Sequence, residues 1–394
     1  MLKRITTSRT SAGNLNLIYL NNQNLPCAFE QTGDGVWHGG VNGGPIQIPT
    51  QPGLSFQAIR GLNNGYGLVA LDYNNQLWFT TQQGDTWNQQ GFSLLPNFTP
   101  GQFLQGAWSM NDFDVCEVPG LPLSIAISTS LVIFDPPPAG VLWTQYGALS
   151  NMSQLASVNY WPGTVGQGQP LVTQPVFSVA AIGGNYFPGT QIQAMVIDGS
   201  GLSGASTYDG IHWVSMLLPN PTTTAPEQGE RVYGWNCSGT VVALGNPNGT
   251  LQVICLNGDG YLYLFYWSHS GPFVAPPSAG FVFYGMLPNP DNLFFSKVAA
   301  SIGADGHFQV VGISNGLPYL TWADANGTWG TYVNPQGQGM QLPMNSDSAF
   351  PLQDLAMGFG NQGYLQVGYL GNDGNIYVNW QDFGGNWGWY GPLP

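Results

Sequence analysis

Leu365-Gln-Val-Gly-Tyr-Leu370 is one copy of a short apolar segment that recurs along the chain of 394 residues. The copies are Leu15–Leu20, Tyr66–Leu71, Pro122–Ile127, Ile192–Ile197, Leu251–Leu256, Phe308–Ile313 and Leu365–Leu370. They follow one another at a mean period of about 58 residues, which is typical of proteins built from repeated structural units. The length and apolar content of each copy predict a buried β-strand. The sequence therefore predicts seven repeats, each containing such a strand.

Three further strands are predicted around most of these copies. Asn315-Gly316 and Asp373-Gly374 begin two and three residues after the ends of two copies, and residues of these types suit tight hairpins because they tolerate a positive φ. A small apolar segment such as Val298–Ser301 begins about ten residues before a copy and reads as a first strand. A Trp that follows a Gly-bearing turn, as in Gly385-Asn-Trp387, opens a fourth strand.

Four antiparallel strands in each of seven repeats indicate an all-β fold, namely a seven-bladed β-propeller. A sandwich gives no reason for seven repeats, and a parallel β-helix would have much shorter ones. We expect one domain that spans residues 1–394, with blades at approximately 1–50, 51–104, 105–172, 173–230, 231–291, 292–348 and 349–394. Asp135–Pro138 is expected to replace the turn between the third and fourth strands of blade three. Met152–Pro175 and Gly271–Pro277 are expected to be loops.

The composition excludes several classes of protein. Six Lys and Arg residues and a net charge of −14 cannot neutralise a phosphate backbone, so we expect no nucleic-acid partner. The 43% of hydrophobic residues exclude disorder. No apolar run is long enough for a transmembrane helix, and the basic residues at the N-terminus precede no apolar region of a signal peptide. We expect cytoplasmic synthesis and leave open whether the protein is released to act outside the cell.

Catalytic motifs are sparse in this sequence. Thr80–Trp87 and Ser206–Trp213 resemble the Asp-box turn of sialidases and other propellers, in which the turn is structural and lies away from the active site. A sialidase would be expected to use three Arg residues around its substrate, and the only arginines are Arg4, Arg9, Arg60 and Arg231. No distinctive pair of carboxylates indicates glycoside hydrolysis, and the His residues lack metal-ligand spacing. We expect no catalytic residue, no metal site and no cofactor.

Residues 371–394 carry the most specific pattern. They read Gly-Asn-Asp-Gly-Asn-Ile-Tyr-Val-Asn-Trp-Gln-Asp-Phe-Gly-Gly-Asn-Trp-Gly-Trp-Tyr-Gly-Pro-Leu-Pro. This stretch resembles the repeat of the Photorhabdus-type seven-bladed β-propeller lectins, which is roughly G-x-D-G-x-L-Y-x-x-W-Q, a short turn and W-x-x-W. Residues 303–332 are similar but lack the Gln after Trp322, and the other repeats match mainly in hydrophobic spacing.

The resemblance implies several shallow sugar sites between adjacent blades, for fucose or a related neutral glycan, without a metal. Aromatic faces cover the apolar side of a sugar ring, and amide and carboxylate groups bind its hydroxyls. The sugar-binding candidates are Tyr319, Trp322, Asp324, Trp329, Tyr377, Trp380, Gln381, Asp382, Trp387 and Trp389, and the looser equivalents are Trp78, Trp87, Trp213 and Tyr263. The same Trp residues also suit packing between blades, so both interpretations stay open.

Three functions are compatible with these features. A non-catalytic lectin with glycans as partners is favoured by the repeats rich in aromatic and amide residues. A protein-interaction scaffold is favoured by the Pro-rich loops and the divergence among blades. A glycan-processing hydrolase or lyase rests only on the turns that resemble the Asp-box. Whether the protein is a homo-oligomer is left open.

Overall fold

The computed structural model of this chain is all-β, and the residues it describes contain no α-helix. It describes residues 2–10, 14–32, 35–40, 43–62, 67–83, 86–95, 108–116, 124–131, 139–146, 155–161, 176–183, 192–198, 203–208, 213–217, 241–245, 251–267, 282–302, 307–323, 328–331, 340–344, 351–360, 363, 365–382 and 384–393. The chain divides into two compact units. The central unit comprises residues 1 and 96–287, and the terminal unit comprises residues 2–95 and 288–394.

The strands within these described ranges form seven antiparallel sheets, numbered I to VII in chain order. Sheets I and II contain β1 (Ile5–Arg9), β2 (Leu15–Leu20), β3 (Pro26–Gln31), β4 (Trp37–His38) and β5 (Ile46–Gln47), then β6 (Phe56–Gly61), β7 (Gly67–Asp72), β8 (Leu77–Gln83), β9 (Thr86–Trp87) and β10 (Ser93–Leu94). Sheets III to V contain β11 (Trp108–Cys116), β12 (Ser124–Leu131), β13 (Ala139–Tyr146) and β14 (Leu155–Trp161), then β15 (Val176–Gly183), β16 (Ile192–Asp198), β17 (Ser203–Tyr208) and β18 (Trp213–Leu217), then β19 (Val241–Gly245), β20 (Leu251–Leu256), β21 (Leu262–Trp267) and β22 (Val282–Met286). Sheets VI and VII contain β23 (Lys297–Ile302), β24 (Phe308–Ser314), β25 (Leu317–Ala323) and β26 (Trp329–Thr331), then β27 (Leu352–Phe359), β28 (Leu365–Gly371), β29 (Ile376–Gln381) and β30 (Trp387–Tyr390).

Each sheet takes its strands from one continuous segment of the chain. In sheets III to VII the four strands lie side by side in chain order. In sheets I and II the third strand pairs with two short strands, so that β3 contacts β4 and β5, and β8 contacts β9 and β10. Sheets I and VII therefore contain only strands from the start and the end of the chain, respectively.

The recurrent apolar segments form the second strand of every sheet. The predicted Leu15–Leu20 and Leu251–Leu256 coincide with β2 and β20, and the others differ by a few residues at the ends. Strands β2, β7 and β28 are buried along their whole length. A second strand has a neighbouring strand at each edge and packed side chains on each face, which explains why these segments are continuously apolar rather than alternating.

The hairpins after the second strands contain the expected left-handed residues. The φ angles are 60° at Asn75, 50° at Asn315 and 82° at Gly374. In the corresponding hairpin of sheet I the residue with positive φ is Asn24, at 59°. Asn21 Oδ1 accepts hydrogen bonds from the backbone N–H groups of residues 23 and 25 and so stabilises this hairpin.

Sheet III corrects two expectations from the sequence. Asp135–Pro138 lies between β12 and β13, so it belongs to the connection of the second and third strands, not the third and fourth. Residues 155–161, expected to lie in a loop, form the fourth strand β14 and pair with β13. This stretch reads Leu-Ala-Ser-Val-Asn-Tyr-Trp, whose Val, Tyr and Trp favour a strand. The segment 271–277 lies outside the described residues.

In the terminal unit, sheets VI, VII, I and II lie next to one another through their first strands. Strand β27 lies beside β23 and β1, and β1 lies beside β6. Thr7 Oγ1 donates to the Met357 carbonyl at 2.9 Å, and Gly61 N donates to Thr6 Oγ1 at 2.9 Å. Gly358 needs no side chain here, since a Cβ at this position would lie 2.8 Å from Leu15 Cδ1. The first strands therefore pack closely enough to exchange hydrogen bonds between sheets.

Three apolar clusters fill the spaces between these sheets. One joins sheets VI and VII, a second joins VII and I, and a third joins I and II. In the central unit, β15 lies beside β11 and β19, and Phe113, Ile125 and Val253 are buried. The cores in both units thus form by packing one sheet on the next, as expected of repeat proteins.

Candidate functional site

The predicted residues of sheet VII lie on two opposite faces of the sheet. Successive side chains of a strand point to opposite sides, so Trp380 lies on the face of Val378 and not on that of Tyr377 and Gln381. Strand β30 continues both faces, because Trp387 pairs with Gln381 and Gly388 pairs with Trp380. The candidates therefore do not form one cluster.

The Tyr377 face consists largely of packed aromatic rings. Tyr377 stacks on Trp389 with ring centroids 5.4 Å apart and planes 15° apart. Trp387 is only 9% exposed and belongs to the cluster between sheets VI and VII, against which Trp389 also packs. The indole N–H groups of Trp387 and Trp389 are buried. These three aromatic side chains stabilise the fold.

Tyr377 also ties down the hairpin before its strand. Its hydroxyl donates to Asp373 Oδ2 at 2.7 Å. Burial, and then this hydrogen bond, raise the pKa of Tyr377 to about 12. Burial acts to raise the pKa of Asp373, but the hydrogen bonds from Tyr377 and Asn375 outweigh it and hold that pKa below its usual value.

The hydrogen bond from an aromatic side chain to an Asp recurs in two other sheets. Tyr263 donates through its hydroxyl to Asp259 Oδ2 at 2.8 Å, and Trp78 donates through Nε1 to Asp72 Oδ2 at 3.0 Å. In all three sheets an aromatic residue at the start of the third strand fixes an Asp of the preceding turn. This repeated position is structural.

The Trp after each Gly-bearing turn packs in the core as well. Trp37, Trp87, Trp329 and Trp387 are all 9% exposed or less. Trp37 belongs to the cluster between sheets VII and I, and Trp87 belongs to the cluster between sheets I and II. The Trp repeat that helps to define the fold is therefore a packing repeat. Trp213 begins β18, and its side chain is not among those described.

Gln381 joins two sheets through its amide group. Its Oε1 accepts from Gln309 Nε2 of sheet VI at 2.6 Å. Sheets I and II show the same arrangement, in which Gln82 Oε1 accepts from Asn16 Nδ2 at 2.6 Å. Gln381 and Gln82 occupy equivalent positions, since each pairs with the Trp that opens the next strand. Gln381 therefore acts as a bridge between sheets.

Trp380 differs from the packed tryptophans because its ring reaches solvent. Its side chain is 40% exposed. It lies across β30 at Gly388, where a Cβ would stand 2.6 Å from its Nε1. The missing side chain at Gly388 lets the indole lie on the strand, so that part of an aromatic surface is presented to water.

Sheet VI repeats this arrangement with Trp322. Trp322 pairs with Gly330, and the nearest ring atom lies 3.6 Å from the position of a Cβ there. The Trp322 ring also stacks on His307, with centroids 5.4 Å apart and planes 24° apart. Trp322 is half-buried. Two sheets of the terminal unit thus place a Trp over a Gly of the fourth strand.

Polar groups lie at one end of the Trp380 face. Asp382 Oδ1 accepts from the backbone N–H of Asn386 at 2.8 Å, and Asp382 Oδ2 accepts from Asn386 Nδ2 at 3.0 Å. These bonds lower the pKa of Asp382, so its carboxylate is charged at neutral pH. At the other end lies Tyr390, which pairs with Val378 and is 49% exposed. We call Tyr390, Trp380, Asp382 and Asn386 the sheet VII strip.

Two members of this strip were missed in the sequence. Tyr390 and Asn386 stand two residues after and two residues before Gly388. Both could be predicted from the alternation of side chains along β30, because residues two positions from Gly388, the partner of Trp380, lie on the same face. The pattern W-x-x-W drew attention instead to the buried Trp387.

The remaining predicted residues are placed as follows. Tyr319 is partly buried and forms an isolated bridge with Gln341. Burial, and then the charge of Asp291, raise the pKa of Tyr319. Asp324 lies outside the described residues. No group of three or more His, Cys, Asp and Glu side chains within the described ranges could hold a metal ion. No helix in that part of the chain has the length and apolar character to cross a membrane.

Comparisons with known proteins were made on both sequence and structure. No protein-family model and no curated protein matches the sequence. The BP39L lectin from Burkholderia pseudomallei is similar in structure, with a TM-score of 0.64 and 17% identity over 100% of this chain and 98% of that one. A prolyl endopeptidase gives a TM-score of 0.51 and 11% identity over 98% of this chain and 50% of its own length.

A fungal lectin from Aleuria aurantia, described as a six-bladed β-propeller that recognises fucose, gives a TM-score of 0.45. It is 11% identical over 100% of this chain and 96% of its own. At 17% identity the likeness to BP39L concerns the fold alone. This chain therefore has an all-β fold like that of a lectin, in keeping with a β-propeller.

Proposed function

We propose that this protein is a non-catalytic lectin, a seven-bladed β-propeller that binds neutral glycans of the fucose type. The observation that carries the proposal is the exposed Trp380 ring lying over Gly388. The fold likeness to the BP39L lectin supports it, and the seven sheets support seven blades.

The sheet VII strip combines the groups that a neutral sugar needs. The Trp380 ring offers an apolar face for the C–H groups of a pyranose. Asp382 offers carboxylate oxygens as acceptors for sugar hydroxyls, and Asn386 holds that carboxylate in place. Stacking and hydrogen bonding to one ring require neither a metal nor a cofactor.

Only some sheets of the terminal unit carry the Trp platform. Trp380 and Trp322 each stand directly before the residue that pairs with the Trp of the following strand, and in sheet I this position is held by Glu30. In sheet II the equivalent residue is Thr81. We therefore propose one binding site at Trp322 and one at Trp380 in this unit, rather than one in each sheet.

Two or more weak sites suit a target that displays many sugars. A single shallow site with a Kd of about 1 mM supplies only about −4 kcal/mol. Linked sites raise the apparent affinity by roughly a hundredfold or more when they bind one surface together. We expect binding to densely fucosylated surfaces and weak binding to free monosaccharide.

A glycan array with the purified protein, in the presence and absence of EDTA, tests the proposal. We expect selective binding to a class of neutral glycans that EDTA leaves unchanged. Calorimetry with methyl α-L-fucoside and with fucosyl-α1,6-N-acetylglucosamine then measures each site. A blank array with folded protein would contradict the lectin and favour the protein-interaction scaffold, and turnover of a glycan would favour the hydrolase.

Substitutions locate the sites. Trp380→Ala and Trp322→Ala should each remove one binding site, because the ring that covers the sugar is lost. Tyr73→Ala is the matched control, since Tyr73 is an aromatic residue that is 57% exposed in the β7–β8 hairpin of sheet II, outside both platforms. Equal loss of binding in the control would show that the effect does not arise at the platforms.

A further inference from the structure

Tyr390 is an exposed aromatic residue that belongs to none of the three apolar clusters of the terminal unit. It is the last residue of β30 and is 49% exposed. It pairs with Val378, so its side chain lies on the same face of the sheet as Trp380. A large apolar ring left in water next to another exposed ring marks a binding surface more often than a single exposed side chain does.

The register sets the spacing of the two rings. Trp380 pairs with Gly388, and Tyr390 stands two residues further along the same strand. Diagonal neighbours of this kind lie about 7–8 Å apart, within reach of aromatic side chains. Adjoining rings of an oligosaccharide, in particular rings joined by a 1,6-linkage with its additional carbon, can reach two side chains at this separation.

The strip has a defined direction. Tyr390 lies at one end and Trp380 follows, with its indole across Gly388. The hydrogen-bonded pair of Asp382 and Asn386 lies at the other end. A ligand on this strip would therefore meet two aromatic faces in succession and then a carboxylate.

The sequence of the neighbouring repeat contains the same elements. Sheet VII reads Trp387-Gly-Trp-Tyr390, and sheet VI reads Trp329-Gly-Thr-Tyr332. Both have a Gly opposite the platform Trp and a Tyr two residues after that Gly. Tyr332 lies outside the described residues.

We propose that the sheet VII strip binds two adjoining rings of an oligosaccharide, with one ring on Trp380 and the next on Tyr390. This inference rests on the proposed lectin function and adds the size of the ligand to it. The ring on Trp380 places hydroxyls near Asp382, and the ring on Tyr390 adds a second stacked face. The ligand is thus a disaccharide or a longer glycan that exposes two neighbouring apolar ring faces.

The test uses the full chain with Trp322→Ala as the background, so that the Trp322 platform does not contribute. Calorimetry compares methyl α-L-fucoside with fucosyl-α1,6-N-acetylglucosamine. We expect the disaccharide to bind about tenfold more tightly than the monosaccharide, which corresponds to about 1.4 kcal/mol. Adding Tyr390→Ala should weaken the disaccharide about tenfold and so bring the ratio of the two Kd values close to one. Tyr390→Phe should keep it, and Trp380→Ala should weaken both ligands.

Each outcome separates this inference from the function on which it rests. If Tyr390→Ala leaves the ratio of the two Kd values unchanged, or weakens both ligands equally, the two-ring site is wrong while the lectin stands. If the wild-type protein binds neither sugar, the fucose-type lectin and the two-ring site are both wrong. Circular dichroism and thermal unfolding confirm that each variant is folded, which we expect because Tyr390 is exposed.

Discussion

Gly388→Ala should remove the Trp380 platform while the fold remains intact. A Cβ at position 388 would stand 2.6 Å from Trp380 Nε1, whereas real Cβ contacts essentially never fall below 3.0 Å. The indole must therefore move off β30 by several tenths of an ångström or more. Gly388 does not have a positive φ, so its backbone conformation accepts alanine.

The magnitudes separate binding from stability. Trp380 is 40% exposed, so its ring can turn towards solvent, and a displaced rotamer costs about 0.5–1.5 kcal/mol. Replacing Gly by Ala at an allowed backbone position stabilises the fold by about 0.4–1 kcal/mol, because it lowers the conformational entropy of the unfolded chain. The free energy of unfolding should therefore change by less than about 1 kcal/mol. Loss of the stacked ring should weaken the sheet VII site by about tenfold or more.

Gly330→Ala is the matched control in sheet VI. A Cβ at Gly330 would lie 3.6 Å from the nearest atom of Trp322, which is an ordinary contact. Calorimetry with the fucosyl disaccharide should show one site fewer for Gly388→Ala and an unchanged number for Gly330→Ala. A Gly388→Ala variant that keeps every site, or the loss of one site in both variants, would contradict the role of Gly388 in the Trp380 platform.

Three further predictions concern stability. Asp354→Ala should lower the free energy of unfolding, measured in urea, by about 3 kcal/mol. The reason is that the buried Asp354 carboxylate accepts a hydrogen bond from Arg4 N at 2.8 Å and lies 4.0 Å from Lys297 Nζ. A change below about 0.5 kcal/mol would show that these contacts contribute little. Trp387→Ala should lower the free energy of unfolding by about 3–5 kcal/mol, because it empties part of the core between sheets VI and VII. Sugar should still bind at Trp380. Loss of sugar binding without a loss of stability would contradict the packing role of Trp387. Tyr377 has a folded-state pKa of about 12 against about 10 in the unfolded chain, so it stabilises the fold fully below pH 10, and this contribution is lost as the pH rises through 12. Tyr377→Phe should reduce the loss of stability over that range, and an identical alkaline profile for the variant would exclude this cause.

The fold is largely readable from the sequence because its second strands and hairpins are locally encoded. Continuous burial makes Leu365–Leu370 apolar on both faces, and the positive φ at Gly374 explains the turn residue that follows. The fourth strand of sheet III was missed because the residues Leu155–Trp161 lie in a long interval without the usual Gly-bearing turn. The short strands β5 and β10 also escaped prediction, since two paired residues leave little signal.

The candidate site is harder to predict from the sequence, because exposed and buried aromatic residues match the same pattern. Trp380 and Trp387 both match the aromatic pattern, yet the first lies exposed over Gly388 and the second is buried between sheets. Strand register and the packing of the next sheet decide between them. The bridge from Gln309 to Gln381 joins residues 72 positions apart, so no local pattern could indicate it.

Binding of the double variant Trp322→Ala/Trp380→Ala to a fucosylated surface tests whether these two tryptophans are the sugar platforms. We expect an apparent Kd at least tenfold higher than that of the wild-type protein, a cooperative thermal unfolding transition that shows a folded variant, and intermediate Kd values for the two single variants. Tyr73→Ala should bind as the wild type does. A double variant that is folded and binds the surface with wild-type affinity would contradict the proposal that Trp322 and Trp380 are the sugar platforms.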